Sequence, residues 1–138
     1  MTLFDPPNRL LVRAWGEPVP APAFSPTSLY VEYCWLPVVG PSATWLYRHL
    51  GQLVQVNPNG GLLDLDDLAG DHGLARTSSR HGALSRSLGR LVRFGLATIE
   101  DDILFVLPYA PAVPANQLGR LSPRLQATEA YLREQAGR

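Results

Sequence analysis

Apolar residues recur at helical spacing over residues 42–56. Trp45, Leu46, Leu50, Leu53 and Val54 fall three and four apart, while Tyr47, Arg48 and Gln52 take the other sides. This pattern predicts an amphipathic helix. Asn57-Pro58-Asn59-Gly60-Gly61 then stops it. Asp64 follows as the expected N-cap of a helix over residues 65–72, with Asp66 and Asp67 in its first turn, where the helix dipole favours acid. Gly73 suits the left-handed position after that helix, and Leu74 is expected to plug the turn into the core.

A second periodic stretch covers residues 79–94, with Thr77, Ser78 and Ser79 as alternative N-caps. On a wheel of 100° per residue, Leu84, Leu88, Leu91 and Gly95 define a core face flanked by Val92. Ser79, Gly82, Arg86, Arg90 and Arg93 fall on the opposite side. Gly82 would let the helix backbone approach a ligand closely, and Gly89 would allow close helix packing. Gly95 ends the helix. Residues 96–100 and 103–107 read as two strands joined by the tight polar turn Asp101-Asp102, closed by Pro108.

The flanks are less regular. Residues 1–26 carry Pro6, Pro7, Pro18, Pro20, Pro22 and Pro26, which argues against a helix and for an extended arm on the domain surface. Residues 9–15, RLLVRAW, fit a short strand between the proline clusters. Residues 27–36 fit a short helix first and a buried strand second, with Pro37 forbidding continuation and Val38-Val39-Gly40-Pro41 a break. Residues 111–119 read as a loop. Ser122-Pro123 opens a last helix to about residue 135, with Leu125, Thr128, Leu132 and Tyr131 as its apolar stripe. The domain reading is an arm over residues 1–26 and one domain over residues 27–138.

Composition narrows the class. The 138 residues are 46% hydrophobic and 17% charged, enough for a real core. The single cysteine, Cys34, allows no intrachain disulfide and fits a reducing compartment. The longest apolar runs are too short to span a bilayer, and residues 1–15 lack the pattern of a signal peptide, so the expectation is a cytoplasmic protein without membrane contact. His49, His72 and His81 pair at no ligand spacing with one another or with Cys34, and the aspartates of residues 64–71 lack a calcium-loop pattern, so no metal is expected. No nucleophile elbow, phosphate loop or dinucleotide fingerprint is present. The expectation is a protein without catalytic activity or cofactor.

Charge supplies the functional argument. The formal net charge is zero, yet it is segregated: between Asp71 and Glu100 there is no acid, while Arg76, Arg80, Arg86, Arg90 and Arg93 lie there. Every basic residue is arginine, which codon usage in a GC-rich genome explains without any role in binding. Residues 42–107 resemble the winged helix-turn-helix superfamily. Leu65, Ala69, Gly73-Leu74, Leu84, Leu88, Leu91 and Gly95-Leu96 are similar to the core skeleton of MarR-like regulators and of DnaD-type replication-initiation proteins. Residues 33–47 are similar to the start of the DnaD-type N-terminal domain.

The resemblance implies a mainly α (α+β) fold: helices, a two-stranded wing and an extra C-terminal helix. It also implies a homodimer built through that last helix or through the arm. On this reading the chain binds double-stranded DNA, as a transcriptional regulator or a replication or plasmid-maintenance factor. Ser79, Arg80 and Arg86 would read bases, and Arg76, Arg90 and Arg93 would hold phosphates, with Thr77 and Ser78 at the helix start. The acidic turn Glu100-Asp101-Asp102 departs from the usual basic wing. The alternative is a protein–protein adaptor that docks through Tyr30, Tyr33, Trp35, Trp45 and Tyr47.

Overall fold

The computed structural model describes residues 9–74 and 82–137. In these, strand β1 (Arg9–Ala14) leads through a two-residue strand β2 (Ala23–Phe24) to a π-helical turn, Val31–Trp35, that runs on into α1 (Leu36–Val39). Then follow α2 (Pro41–Val56), β3 (Gly61–Asp64), α3 (Leu65–Asp71), α4 (Ala83–Arg93), β4 (Ala97–Glu100), β5 (Ile103–Val106) and β6 (Ala110–Pro111). A 3-10 turn, Ala115–Arg120, and α5 (Pro123–Ala136) complete the described chain.

The fold is mixed α/β. Its main sheet has four strands in the order β3-β1-β5-β4, where the sequence predicted a two-stranded hairpin and a separate short strand over residues 9–15. β1 lies second in that sheet, antiparallel to β3 and parallel to β5. The strand allowed at residues 9–15 is therefore formed, but not as a surface segment. Its alternation explains why: Leu10 and Val12 point into the core while Arg9 and Arg13 stay in water. Leu104, Val106 and Ala97 bring the neighbouring strands' apolar sides to the same core. Against this face lie Leu46, Leu50 and Val54 of α2, all fully buried, each contributing about 1.5–3 kcal/mol. Leu84, Leu88 and Leu91 of α4 join the same cluster.

The β4–β5 hairpin has the predicted two-residue turn. Asp101 and Asp102 take φ of 51° and 62°, as the twist of a tight hairpin demands. The Asn57–Gly61 stop is also as expected: Gly60 N–H donates to Asn57 O at 2.8 Å and Gly60 takes a φ of 62°. Asp64 caps α3 by accepting from Asp67 N–H at 3.0 Å. α3 and α4 end alike. Leu74 N–H donates to Ala69 O and Gly73 N–H to Gly70 O, just as Leu96 donates to Leu91 O and Gly95 to Val92 O. In both endings the glycine is left-handed and the following leucine turns back to the core.

Three expectations are corrected. The helix over residues 27–36 does not stop at Pro37, because the π turn before it widens the hydrogen-bond ladder. An α turn would drive the pyrrolidine ring against the carbonyl four residues back. The break comes at Gly40, whose φ is 90°. Gly95 is no member of the helical core face: it is exposed and forms the left-handed ending of α4. On α5, Tyr131 is 60% exposed and Glu129 takes the buried place instead, with Leu125, Thr128 and Leu132 half-buried around it.

Glu129 is buried because the core supplies its partners. Tyr30 Oη donates to Glu129 Oε2 at 2.6 Å and accepts from Val113 N–H at 2.8 Å. Arg133, one helical turn on, donates to Glu129 Oε1 at 3.1 Å from the half-exposed rim. The Tyr30 ring stacks on Phe24 at 3.8 Å. This cluster fixes α5 to the π turn and, through Val113, to the loop before the 3-10 turn.

Candidate nucleic-acid interface

Helix α4 is the element on which the functional reading turns. It begins at Ala83, with Gly82 extended at the N-cap and no side-chain cap, so it is shorter than residues 79–94. Arg76, Thr77, Ser78, Ser79 and Arg80, together with His81, lie outside the described residues. The expected caps and the expected base-reading start of the helix belong to that segment. Over the described part, the wheel is accurate where it matters. Leu84, Leu88 and Leu91 are buried, and Arg86, Arg90 and Arg93 are exposed on the outer side. Among the described residues nothing packs against Gly89: a Cβ there would meet no atom within 4 Å, so close helix packing does not explain that glycine.

Arg90 and Arg93 are held differently. Arg90 Nη1 donates to the carbonyl of Val39 at 3.1 Å, which ties α4 to the end of α1. Arg93 lies over the Phe94 ring, 5.4 Å from its centroid. Arg120, from the 3-10 turn, lies 5.4 Å from the same centroid. An aromatic face attracts such cations and keeps them close together against their mutual repulsion. Arg120 therefore extends the basic surface past the end of α4. Periodicity could not find it, since it stands 27 positions after Arg93 on a stretch read as a loop boundary. The hairpin tip, Glu100-Asp101-Asp102, is exposed and acidic.

A second polar region lies on the far side of α2. Trp45 is 57% exposed with the Arg48 guanidinium 4.9 Å over its ring. The His49 and His72 rings stack at 5.1 Å between α2 and the end of α3. His72 Nδ1–H donates to Leu68 O at 2.9 Å. Among the described residues no group of histidine, cysteine and acid could hold a metal ion. Cys34 is buried, and that burial, aided by the charge of Glu129, pushes its thiol up to about 12, away from thiolate chemistry.

His49 makes stability pH-dependent. Partial burial first, and the neighbouring His72 second, lower its pKa, while Asp71 opposes them. The folded chain thus resists a proton that the unfolded chain takes up near pH 6.5. The penalty is absent above that pH and grows as the pH falls below it. Its size is modest, because His49 as a whole is exposed. Thermal unfolding should show wild type losing more Tm between pH 7 and about 5.5 than His49→Gln does. Equal losses would remove His49 from this role.

No known protein family, curated protein or solved structure matches the chain. Among the described residues no helix is long and apolar enough to cross a membrane.

Proposed function

We propose that the chain is a double-stranded DNA-binding protein in which α2, α3, α4 and the β4–β5 hairpin act as a winged helix-turn-helix. It would serve as a transcriptional regulator or as a replication or plasmid-maintenance factor, without enzymatic activity. One observation carries this reading. The inner side of α4 is leucine locked into the core, while its outer side presents Arg86, Arg90 and Arg93, continued by Arg120. A rigidly seated helix with an arginine face supplies what groove entry and phosphate contact need. Arg86 is the base-reading candidate of the described part, and Arg90 and Arg93 the phosphate-holding ones. Pairing of two copies through α5 or the N-terminal residues belongs to the same proposal.

The test is fluorescence anisotropy with a mixed-sequence duplex at two salt concentrations. Wild type should bind with affinity that falls steeply with salt, as phosphate contacts require. The double substitution Arg86→Ala/Arg90→Ala should weaken binding by about ten- to a hundredfold and flatten the salt slope by roughly two contacts. No wild-type binding at low salt would sink the proposal. The adaptor reading would then take its place. Of the aromatics it was expected to use, Tyr30, Trp35 and Tyr47 are buried in the core, so it would rest on the exposed Tyr33 and Trp45 and on the acidic hairpin tip.

A further inference from the structure

We propose that the cleft between the start of α2 and the outer face of α4 binds one phosphate oxyanion. Resting on the DNA reading, we assign that anion to the DNA backbone. The cleft has a volume of about 230 Å³ and is bounded by Gly40, Ser42 and Ala43 on one side and by Arg86, Ser87 and Arg90 on the other. No acid lines it.

Its groups are donors. Arg90 is anchored by its bond to Val39 O, so the guanidinium is positioned before any ligand arrives. Gly40 makes this possible: a Cβ there would stand 2.7 Å from Arg90 Nη1. Ser87 is only 5% exposed and lines the cleft, where its hydroxyl can donate to an anion beside the Arg86 and Arg90 guanidinium groups. Thr44 N–H is already spent on Gly40 O at 3.0 Å, and Pro41 has no N–H, which leaves the N–H groups of Ser42 and Ala43 at the opening of α2. The anchored Arg90 fork, the Ser87 hydroxyl and two backbone donors, with Arg86 beside them, suit the several oxygens of a phosphate better than the two of a carboxylate. A phosphate seated here would lie beside α4 as the helix enters a groove, and would fix its register. The same chemistry would accept inorganic phosphate.

The experiment is amide-resolved NMR of the full chain at fixed ionic strength, titrated with inorganic phosphate, with chloride, and with a mixed-sequence duplex. Ser87→Ala and Arg90→Gln are titrated alongside, their own spectra reporting that they fold. Phosphate, but not chloride, should shift the amides of Ser42, Ala43 and Ser87 saturably, and the duplex should shift the same ones. Arg90→Gln should weaken the phosphate effect at least about tenfold, the loss of one charge-assisted contact. Phosphate saturation without duplex binding would uphold the site and defeat the DNA reading, making a small phosphorylated anion the ligand. Duplex binding that leaves these amides unmoved would overturn the site and leave the DNA reading standing. Equal shifts with chloride, or in Arg90→Gln, would also overturn it.

Discussion

Gly60→Ala should destabilise the chain by about 3–4 kcal/mol, whereas Gly61→Ala should change it by no more than about 0.5–1 kcal/mol. The two glycines are neighbours, and the fold treats them oppositely. Gly60 has a φ of 62°, and a Cβ on it would sit 1.7 Å from the carbonyl oxygen of Val12. The left-handed conformation alone costs an alanine about 1–2 kcal/mol. Relieving the clash means moving β1 away from the turn. That strains the bonds from Ala14 N–H to Pro58 O at 2.9 Å and from Gly60 N–H to Asn57 O, each worth about 1 kcal/mol. At Gly61 an added Cβ meets no atom of the described residues within 4 Å. Urea unfolding of the two variants checks the contrast. A Gly60→Ala midpoint equal to that of Gly61→Ala would mean that β1 does not cross this turn.

The same turn shows what a sequence can and cannot disclose. Asn57-Pro58-Asn59-Gly60-Gly61 announces a stop because glycine and asparagine signal positive φ locally. It does not announce which strand passes beneath. β1 alternates correctly, but six prolines around it argue for an arm. Its pairing with β5 is parallel and joins residues about 92 positions apart, which no local pattern encodes. β3 is only four residues long and merges with the helical rhythm of residues 62–69, so its strand character is masked. The leucine face of α4, the Gly73-Leu74 ending and the stop at Gly95 are short-range features, and all were legible.

The candidate interface divides along the same line. Arg86, Arg90 and Arg93 share a helix face, so a wheel finds them. Gly40 and Arg120 reach the region from other elements, and Ser87 looks like any helical serine until its burial is seen. Glu129 was missed for a physical reason. A carboxylate is read as solvent-facing unless its donors are known, and its main donor, Tyr30, stands 99 positions away. Glu129 also explains how α5 docks: a helix whose apolar stripe is only half-buried is held by one hydrogen-bonded charge.

Tyr30→Phe should therefore cost about 3–4 kcal/mol, although the substitution removes one oxygen and keeps the ring stacked on Phe24. The loss has two parts. The Glu129 carboxylate loses its buried donor, a charge-assisted bond worth about 1.5–3 kcal/mol. Val113 N–H loses its acceptor, leaving a buried donor that costs about 1–3 kcal/mol. Arg133 compensates little, because it meets Glu129 from the solvent side. A double-mutant cycle with Glu129→Leu separates these parts. Both single variants leave a polar atom stranded, while the double variant strands only Val113 N–H. Its cost should thus fall short of the sum of the singles by about 1–3 kcal/mol. The phenol gives an independent reading. Burial, and then the bond to Glu129, push the Tyr30 pKa well above its usual value. The folded chain holds that proton where the unfolded chain releases it, so this stabilisation is intact below about pH 10 and declines as the pH rises beyond it. In wild type, tyrosinate absorbance from Tyr30 should appear only with unfolding, and Tyr30→Phe should shed part of the alkaline loss of stability. Additive single-variant costs in the cycle would show that Tyr30 and Glu129 do not hold α5 as a unit.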